Sequence, residues 1–255
     1  MLSSDERERY ARHIMLKEIG GPGQQKLKAA TVAIVGVGGL GAPAALYLAA
    51  AGVGRLRLID ADVVSLSNLQ RQILFRAVDV DAPKVACADV ALSALNPNVE
   101  IDARAVALDG SNADALLAGA DLVLDGTDDY TTRFAVNAAC HALSIPLISG
   151  AVGRWDGQVA TFKSGLTKHL PVAERLPCYR CFVPEIPPNA EPCSAVGIVG
   201  ALTGVIGSLM ALEAIKEIAG AGESLAGRLL LFDGLKATSR TIALRPDPDC
   251  RVCSA

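Results

Sequence analysis

Aromatic side chains are scarce in this sequence: they make up 4% of its 255 residues, with a single tryptophan. A base-stacking surface is therefore not expected, and Trp155 reads as packing near a sheet edge. Histidine is scarcer, and His13, His141 and His169 are too scattered to form a ligand-spaced metal cluster. Charge of one sign is also missing in bulk. A formal net charge of -3 gives no general attraction for nucleic acid or an anionic membrane, although a local basic site can still hold a nucleotide. Long hydrophobic runs are absent, because prolines, glycines and charges interrupt the alanine-rich stretches 40–53 and 195–218 before a membrane-spanning length. The first twenty residues, charged from Asp5 to Arg12, contain no apolar segment of the secretory kind. These absences lead to the expectation of a cytoplasmic protein whose seven cysteines are mostly reduced.

What is present is a chain with 51% hydrophobic residues and 24 glycines, enough for one α/β domain with additions. A helix is predicted over 6–19, capped by Ser4 or Asp5 and stopped by Gly20 and Pro22. Strand-length apolar segments follow at 31–35, 55–60, 99–105, 122–125 and 146–151, alternating with helix-length segments at 40–51, 84–95 and about 131–143. That alternation predicts a mostly parallel sheet covered by helices. Beyond Trp155 the pattern changes: 158–162 reads as an antiparallel addition, 169–192 is rich in proline, 200–219 is a long helix, and 228–233 with 238–244 form a terminal hairpin.

Gly36, Gly38 and Gly41 make a GxGxxG arrangement between a predicted strand and a helix, so phosphate can approach helix-terminal N–H groups. Asp60 ends the next strand, where its carboxylate can accept from ribose hydroxyls. Alone, this pair fits a dinucleotide as well as ATP, and a purely structural glycine turn remains an alternative. The run from Asp60 to Gln72 is less suited to a dehydrogenase. Arg71 can neutralise phosphate oxygens, Asn68 can orient phosphate or ribose, and Lys84 at the next helix adds a positive charge; surface ion pairing is the plainer reading of each cation. Asp125, Asp128 and Asp129 then close an apolar strand with three carboxylates. One of them can hold a hydrated Mg²⁺ ion, whereas the ordinary alternative makes Asp128 a helix cap or turn residue.

Cys178 with Cys181 and Cys250 with Cys253 form two C-x-x-C pairs far apart in the chain. Zn²⁺ can join them tetrahedrally and pin the proline-rich segment to the carboxyl terminus; a reducible disulfide or unrelated thiols are the alternatives. Cys87 and Cys140 fall within predicted helices and read as buried hydrophobes.

With these motifs in hand, the sequence resembles the MoeB, ThiF and HesA family, related to the adenylation domains of ubiquitin-activating enzymes, and is most similar to molybdopterin-synthase adenylyltransferases. The resemblance rests on Arg9-Tyr10-Ala11-Arg12-His13-Ile14, Gly36–Gly41, the 65–72 run, Asp125–Asp129, both C-x-x-C pairs and Gly204-Val205-Ile206-Gly207-Ser208. It implies a doubly wound, Rossmann-like α/β fold in a homodimer, with a single adenylation domain: a helical arm over 1–30, a nucleotide-binding core over 31–165, a crossover loop over 166–195, and a late helix and hairpin over 196–255. It also implies Gly39 and Gly41 along the ATP phosphates, Asp60 at the ribose and Asp62 near the reacting end. Asn68, Arg71 and Lys84 would face the phosphates and Asp128 the magnesium. Arg12 matches the family arginine that reaches the neighbouring subunit's nucleotide site, and Cys193 matches a cysteine used for carrier transfer or persulfide chemistry in some members; a helix-surface arginine and a packing cysteine are the alternatives.

The implied reaction joins AMP to the C-terminal glycine carboxylate of a ubiquitin-like sulfur-carrier protein ending in Gly-Gly and releases pyrophosphate. The molybdopterin-synthase small subunit is the first expectation for that carrier, a thiamine- or cysteine-pathway carrier the second, and a sulfurtransferase is a further expected partner. An NAD-dependent oxidoreductase explains the glycine loop and Asp60 but leaves Arg71, Asp128 and the cysteine pairs unaccounted for. A non-enzymatic carrier-binding scaffold would bind the carrier without consuming nucleotide.

Overall fold

The computed structural model describes residues 1–188 and 197–254. The described chain begins with α1 (Ser4–Arg9), α2 (Ala11–Ile14) and α3 (Gly20–Ala29) and enters the sheet at β1 (Thr31–Val35). Then come α4 (Gly41–Ala51), β2 (Arg55–Ile59), α5 (Lys84–Leu95), β3 (Glu100–Arg104), α6 (Ala113–Leu117), β4 (Leu122–Asp125), α7 (Tyr130–Leu143) and β5 (Leu147–Gly153). The later part holds β6 (Asp156–Phe162), α8 (Ser164–Thr167), α9 (Tyr179–Phe182), α10 (Gly200–Ala219), β7 (Arg228–Asp233) and β8 (Thr238–Ala243).

These strands form one sheet in the order β3-β2-β1-β4-β5-β6-β7-β8. The first five are mutually parallel and the last three are added antiparallel. The apolar β1 run is explained by burial on both faces. Val32 and Ile34 enter the cluster under α4, α5 and α10, whereas Ala33 and Val35 enter the cluster under α6 and α7. Leu122 and Leu124 of β4 join the first cluster and Val123 the second. Where α10 crosses the loop leading into α4, a Cβ on Gly207 would lie 2.5 Å from the Leu40 carbonyl oxygen, so only glycine fits this approach.

The amino-terminal arm departs from the expected single helix over 6–19. Ser3, rather than Ser4 or Asp5, caps α1: its hydroxyl accepts from the Glu6 N–H while the Glu6 carboxylate accepts from the Ser3 N–H. Gly20 and Pro22 do not stop a helix; they open α3. In a first turn the missing proline N–H would have had no intrahelical partner anyway, so proline is tolerated there. The short α6 between β3 and β4 was not expected. The proline-rich stretch, as far as residue 188, contains a short turn at Val172–Glu174 and the single turn of α9, and Cys193 lies outside the described residues. Among the described residues no helix is long and apolar enough to cross a membrane.

Candidate functional site

In a sheet of order 3-2-1-4-5, strand connections leave in opposite directions from β1 and β4, and a crevice opens at their carboxyl ends. A cavity of about 560 Å³ occupies that position. Two hollows of about 670 and 690 Å³ lie over β6–β8 and along α10; the first shares the end of β5 with the cavity, but neither is lined by the loops after β1 and β4.

The cavity floor is the loop after β1. Gly36 sits at φ +82° and its N–H donates to the Ile59 carbonyl at 2.9 Å, which bends the chain off the strand. A Cβ on Gly41 would lie 1.9 Å from the Gly36 oxygen, so the helix can begin this close to the strand only with glycine there. Leu40, at the cap of α4, offers no side-chain hydrogen bond. The Ala42 N–H already donates to the Gly38 carbonyl at 3.0 Å and Pro43 has none, so the Gly41 N–H is what the start of α4, without a side-chain cap, can offer an anion. Gly36, Gly38 and Gly39 line the cavity; Gly41 lies beneath it.

Asp60 fastens this loop to β2. Its Oδ2 accepts from the Val37 N–H at 2.7 Å and its Oδ1 from the Asp62 N–H at 2.8 Å, and each oxygen retains further acceptor capacity. Burial holds the Asp60 carboxyl above the usual carboxylate range, opposed by Lys84 and by these two amide donors. Lys84 is the positive charge expected at the start of α5. Its side chain is buried, with Nζ 2.7 Å from Asp62 Oδ2 and 4.0 Å from Asp60 Oδ2. Arg71 lines the cavity and donates to the Ser67 carbonyl at 3.0 Å. Asn68 is not in the lining: its Oδ1 accepts from the Ser65 N–H at 3.2 Å and holds the turn before Arg71.

The three carboxylates after β4 have separate fates. Asp125 is fully buried; its Oδ1 accepts from the Thr127 N–H and hydroxyl, and its Oδ2 from the Ser149 hydroxyl at 3.0 Å. Asp129 caps α7 by accepting from the Thr132 N–H at 2.8 Å. Asp128 is exposed, lines the cavity and makes no hydrogen bond or ion pair among the described residues. The capping role weighed for Asp128 thus belongs to its neighbour. Asp128 is left with uncommitted oxygen ligands, the hard donors that Mg²⁺ prefers.

Sequence reasoning missed Arg133. This buried side chain of α7 donates to Ser149 Oγ at 3.0 Å and to the carbonyls of Gly150 and Thr127, and its Nη1 lies 3.5 Å from Asp125 Oδ2. It ties the ends of β4 and β5 together beneath the acidic turn. The only signal was a charge inside an apolar helical stretch, four residues after the cap at Asp129.

One wall of the cavity comes from the segment following Cys178: Tyr179, Phe182, Val183 and Pro187 line it. The sulfurs of Cys178, Cys181, Cys250 and Cys253 all lie within 4.8 Å of one another. The close pairs, Cys178 with Cys250 at 3.5 Å and Cys181 with Cys253 at 3.3 Å, are far beyond a disulfide bond of about 2.05 Å. Four thiolates about 2.3 Å from one Zn²⁺ ion would stand about 3.8 Å apart, so the donor set fits tetrahedral zinc without an open position. Within this cluster the thiols share protons: hydrogen bonds from Cys178 and then Cys253 push Cys181 down, while Cys178 and Cys253 are pushed up. Arg12 is exposed on α2 and does not line its own chain's cavity. Its neighbours are anchored: the buried Tyr10 hydroxyl accepts from Asn96 at 2.8 Å, and the His13 ring meets Gln24 at 3.2 Å.

The family model described as ThiF family matches residues 10–252. A sulfur carrier protein adenylyltransferase of Thermus thermophilus is 46% identical over 253 residues, covering 98% of this chain and 92% of that protein. The adenylyltransferase and sulfurtransferase MOCS3 of Anopheles gambiae is 46% identical over 258 residues, covering 99% of this chain and 56% of its own length. The crystal structure of E. coli MccB with MccA-N7isoASN has a TM-score of 0.81 at 22% identity, covering 100% of this chain and 76% of that one, and speaks for the fold alone.

Proposed function

This chain belongs to the ThiF family and is an adenylyltransferase, and from that premise we propose that it activates the C-terminal glycine carboxylate of a ubiquitin-like sulfur-carrier protein with ATP. The observation that carries this reading is one cavity in which an uncapped helix start, Arg71, Lys84 and the uncommitted Asp128 carboxylate meet. In the proposed reaction a carboxylate oxygen of the carrier attacks the α-phosphorus, the bond from that phosphorus to the bridging oxygen breaks, and pyrophosphate leaves. A terminal carboxylate is already ionised near neutral pH, so no strong general base is required. The work is alignment of two anions and stabilisation of the departing charge.

In this reading Gly39 and the Gly41 N–H lie along the phosphates, Asp60 accepts from the ribose and Asp62 sits near the reacting end. Arg71 and Lys84 serve the phosphates, and Asn68, outside the cavity lining, serves them through the turn that presents Arg71. Asp128 would hold Mg²⁺, which when bound supplies charge neutralisation at phosphate oxygens. The four cysteines would hold one structural Zn²⁺ ion. Arg12, anchored through its neighbours but reaching no part of its own cavity, would complete the site of a second copy in a homodimer. The carrier is the molybdopterin-synthase small subunit in the first instance, with thiamine- and cysteine-pathway carriers as the alternative. MOCS3 carries both activities in its name and this chain matches 56% of it, which supports a separate sulfurtransferase as partner.

ATP–pyrophosphate exchange with a panel of purified carriers ending in Gly-Gly tests the reaction and ranks the carriers. Exchange should depend on the carrier; no exchange with any of them would sink the reading. For Arg12→Ala, mixing with an Asp128→Ala chain should restore one working site per mixed dimer. Failure of the mixture to regain activity would remove the cross-subunit role.

A further inference from the structure

The charge of the cavity does not match its cargo. Four carboxylates (Asp60, Asp62, Asp128 and Asp129) and three cations (Arg71, Lys84 and Arg133) line it. Lys84 and Arg133 are already paired with Asp62 and Asp125, at 2.7 and 3.5 Å, so Arg71 is the one lining cation with no carboxylate partner among the described residues. A site for two anions calls for more positive charge than that. Arg12 has the opposite imbalance: it is exposed and makes no hydrogen bond or ion pair among the described residues. In its own chain it stands at the far end of the molecule. Both α4 and α10 start beside the cavity, at Gly41 and Gly200, and run to the amino-terminal arm. There Gly52, the left-handed cap of α4, makes room for the Tyr10 ring, Gln24 Nε2 donates to the Ala51 carbonyl at 2.8 Å, and Lys26 Nζ donates to the Ala219 carbonyl at 3.0 Å. At 1.5 Å per residue, the length of α10 holds cavity and arm about 30 Å apart.

The outward face between these two ends is apolar. Tyr47, Ile73, Val205 and Leu212, each at least 40% exposed, surround the hollow of about 690 Å³ along α10. That hollow adjoins the cavity where Gln72 gives way to Ile73 and Thr203 to Gly204. On the arm, Met15 and Leu16 are exposed about one helical turn beyond Arg12. Resting on the adenylation reading above for what the cavity holds, we infer that a second copy of this chain covers this face. The α4–α10 faces of the two copies pack head to tail about a two-fold axis, so each arm comes over the other's cavity. Met15 and Leu16 seat at the Ile73 edge of the other copy's hollow, and Arg12 enters the cavity beside it. A two-fold contact is self-complementary, so one apolar face serves both sides. Because both helices run from cavity to arm, antiparallel packing carries an arm across the intervening length to a cavity, whereas parallel packing would set arm on arm. The cation left over in one copy then meets the carboxylate excess and the bound polyphosphate of the other.

Each substitution on this face counts twice in a two-fold contact. Tyr47→Lys with Leu212→Lys alters two exposed side chains, so each chain should keep its fold by circular dichroism, while sedimentation should show dimerisation weakened roughly 100-fold or more. Carrier-dependent exchange should be lost in step with the dimer, and wild-type exchange per chain should likewise fall on dilution through the dimer's Kd. A second measurement leaves the face intact. Chains with Leu16→Cys, mixed with chains with Ile73→Cys and treated with a short bis-maleimide, should give a product in which mass spectrometry finds positions 16 and 73 joined. A monomeric wild type, full exchange in the monomeric variant, or no link between positions 16 and 73 would overturn the inference. So would a dimer unmoved by the two lysines, and a raised KM for the carrier in that variant would give the face to the carrier instead. A wild-type dimer that forms the link but shows no exchange with any carrier would remove the adenylation reading and leave the interface standing.

Discussion

The floor and the wall of the cavity are held by different physics. Beneath the floor, β1 and β4 are buried on both faces, and Arg133, Asp125 and Ser149 satisfy one another below the acidic turn. The wall from Tyr179 to Pro187 has only the single helical turn of α9 and is tied to residues 250–253 through four sulfurs. On the floor, apolar burial sets the positions, so the polar groups that do no structural work are the ones left for chemistry. In the wall, Tyr179 is buried in the cluster under α7 and its N–H donates to Asn137 Oδ1 at 2.8 Å, and the four clustered sulfurs would add a metal-dependent anchor.

The largest expected effect separates two neighbouring carboxylates. Asp128→Ala removes a side chain with no bond among the described residues, so stability should change by no more than about 0.5 kcal/mol, while carrier-dependent exchange falls roughly 10²- to 10³-fold. Asp125→Ala should do the reverse in kind: it takes a buried partner from Arg133 and Ser149, and breaking a buried pair costs about 3–5 kcal/mol. Denaturant midpoints and exchange rates measured on both variants check this. Unchanged exchange in Asp128→Ala would break the division between structural and uncommitted acids.

A smaller effect is expected from removing the metal. Purified protein should carry one zinc per chain, and Cys181→Ser together with chelation should release it. The wall would then loosen, with faster proteolysis in the 166–188 stretch and a lower carrier-dependent rate. Because the floor is built from burial, ATP affinity should change by less than about tenfold, or 1.4 kcal/mol. A larger loss of ATP binding would show that floor and wall form one cooperative unit, and fewer than one zinc per two chains would remove the metal altogether.

The same contrast explains what could be read from the sequence. The parallel core was legible because a doubly buried strand leaves an unbroken apolar run, as in β1 and β4, and because the close approach at Gly41 admits only glycine. The four cysteines were legible because their chemistry needs them together, whatever the path between. The amino-terminal helices were misjudged because Gly20 and Pro22 punctuate a helix equally well at either end, and only tertiary packing decides which. Arg133 was missed for a related reason: a buried polar side chain is identified by its partners, and those are a property of the folded chain. Pairing of Lys84 with Asp62 was likewise hidden, since the two are far apart in sequence and meet only across the β2–α5 connection.

The smallest expected effect tests whether the floor's charges are governed by burial as its apolar groups are. Burial raises the Asp60 carboxyl above its ordinary value, against the Lys84 charge and the N–H groups of Asp62 and Val37. The folded chain therefore keeps this proton at pH values where the unfolded chain, with an ordinary carboxylate near about 3.9, has released it. Over that interval the unfolded state binds fewer protons, so the contribution of Asp60 to stability falls as pH rises from the ordinary value through the folded one and is level above it. Asp60→Asn removes this titration. Urea midpoints taken at a series of pH values should show wild type losing ground to the variant across the interval and a constant gap beyond it. The opposite tilt would mean that Lys84 and the two amides outweigh burial, and that the floor, like the wall, owes part of its geometry to charge.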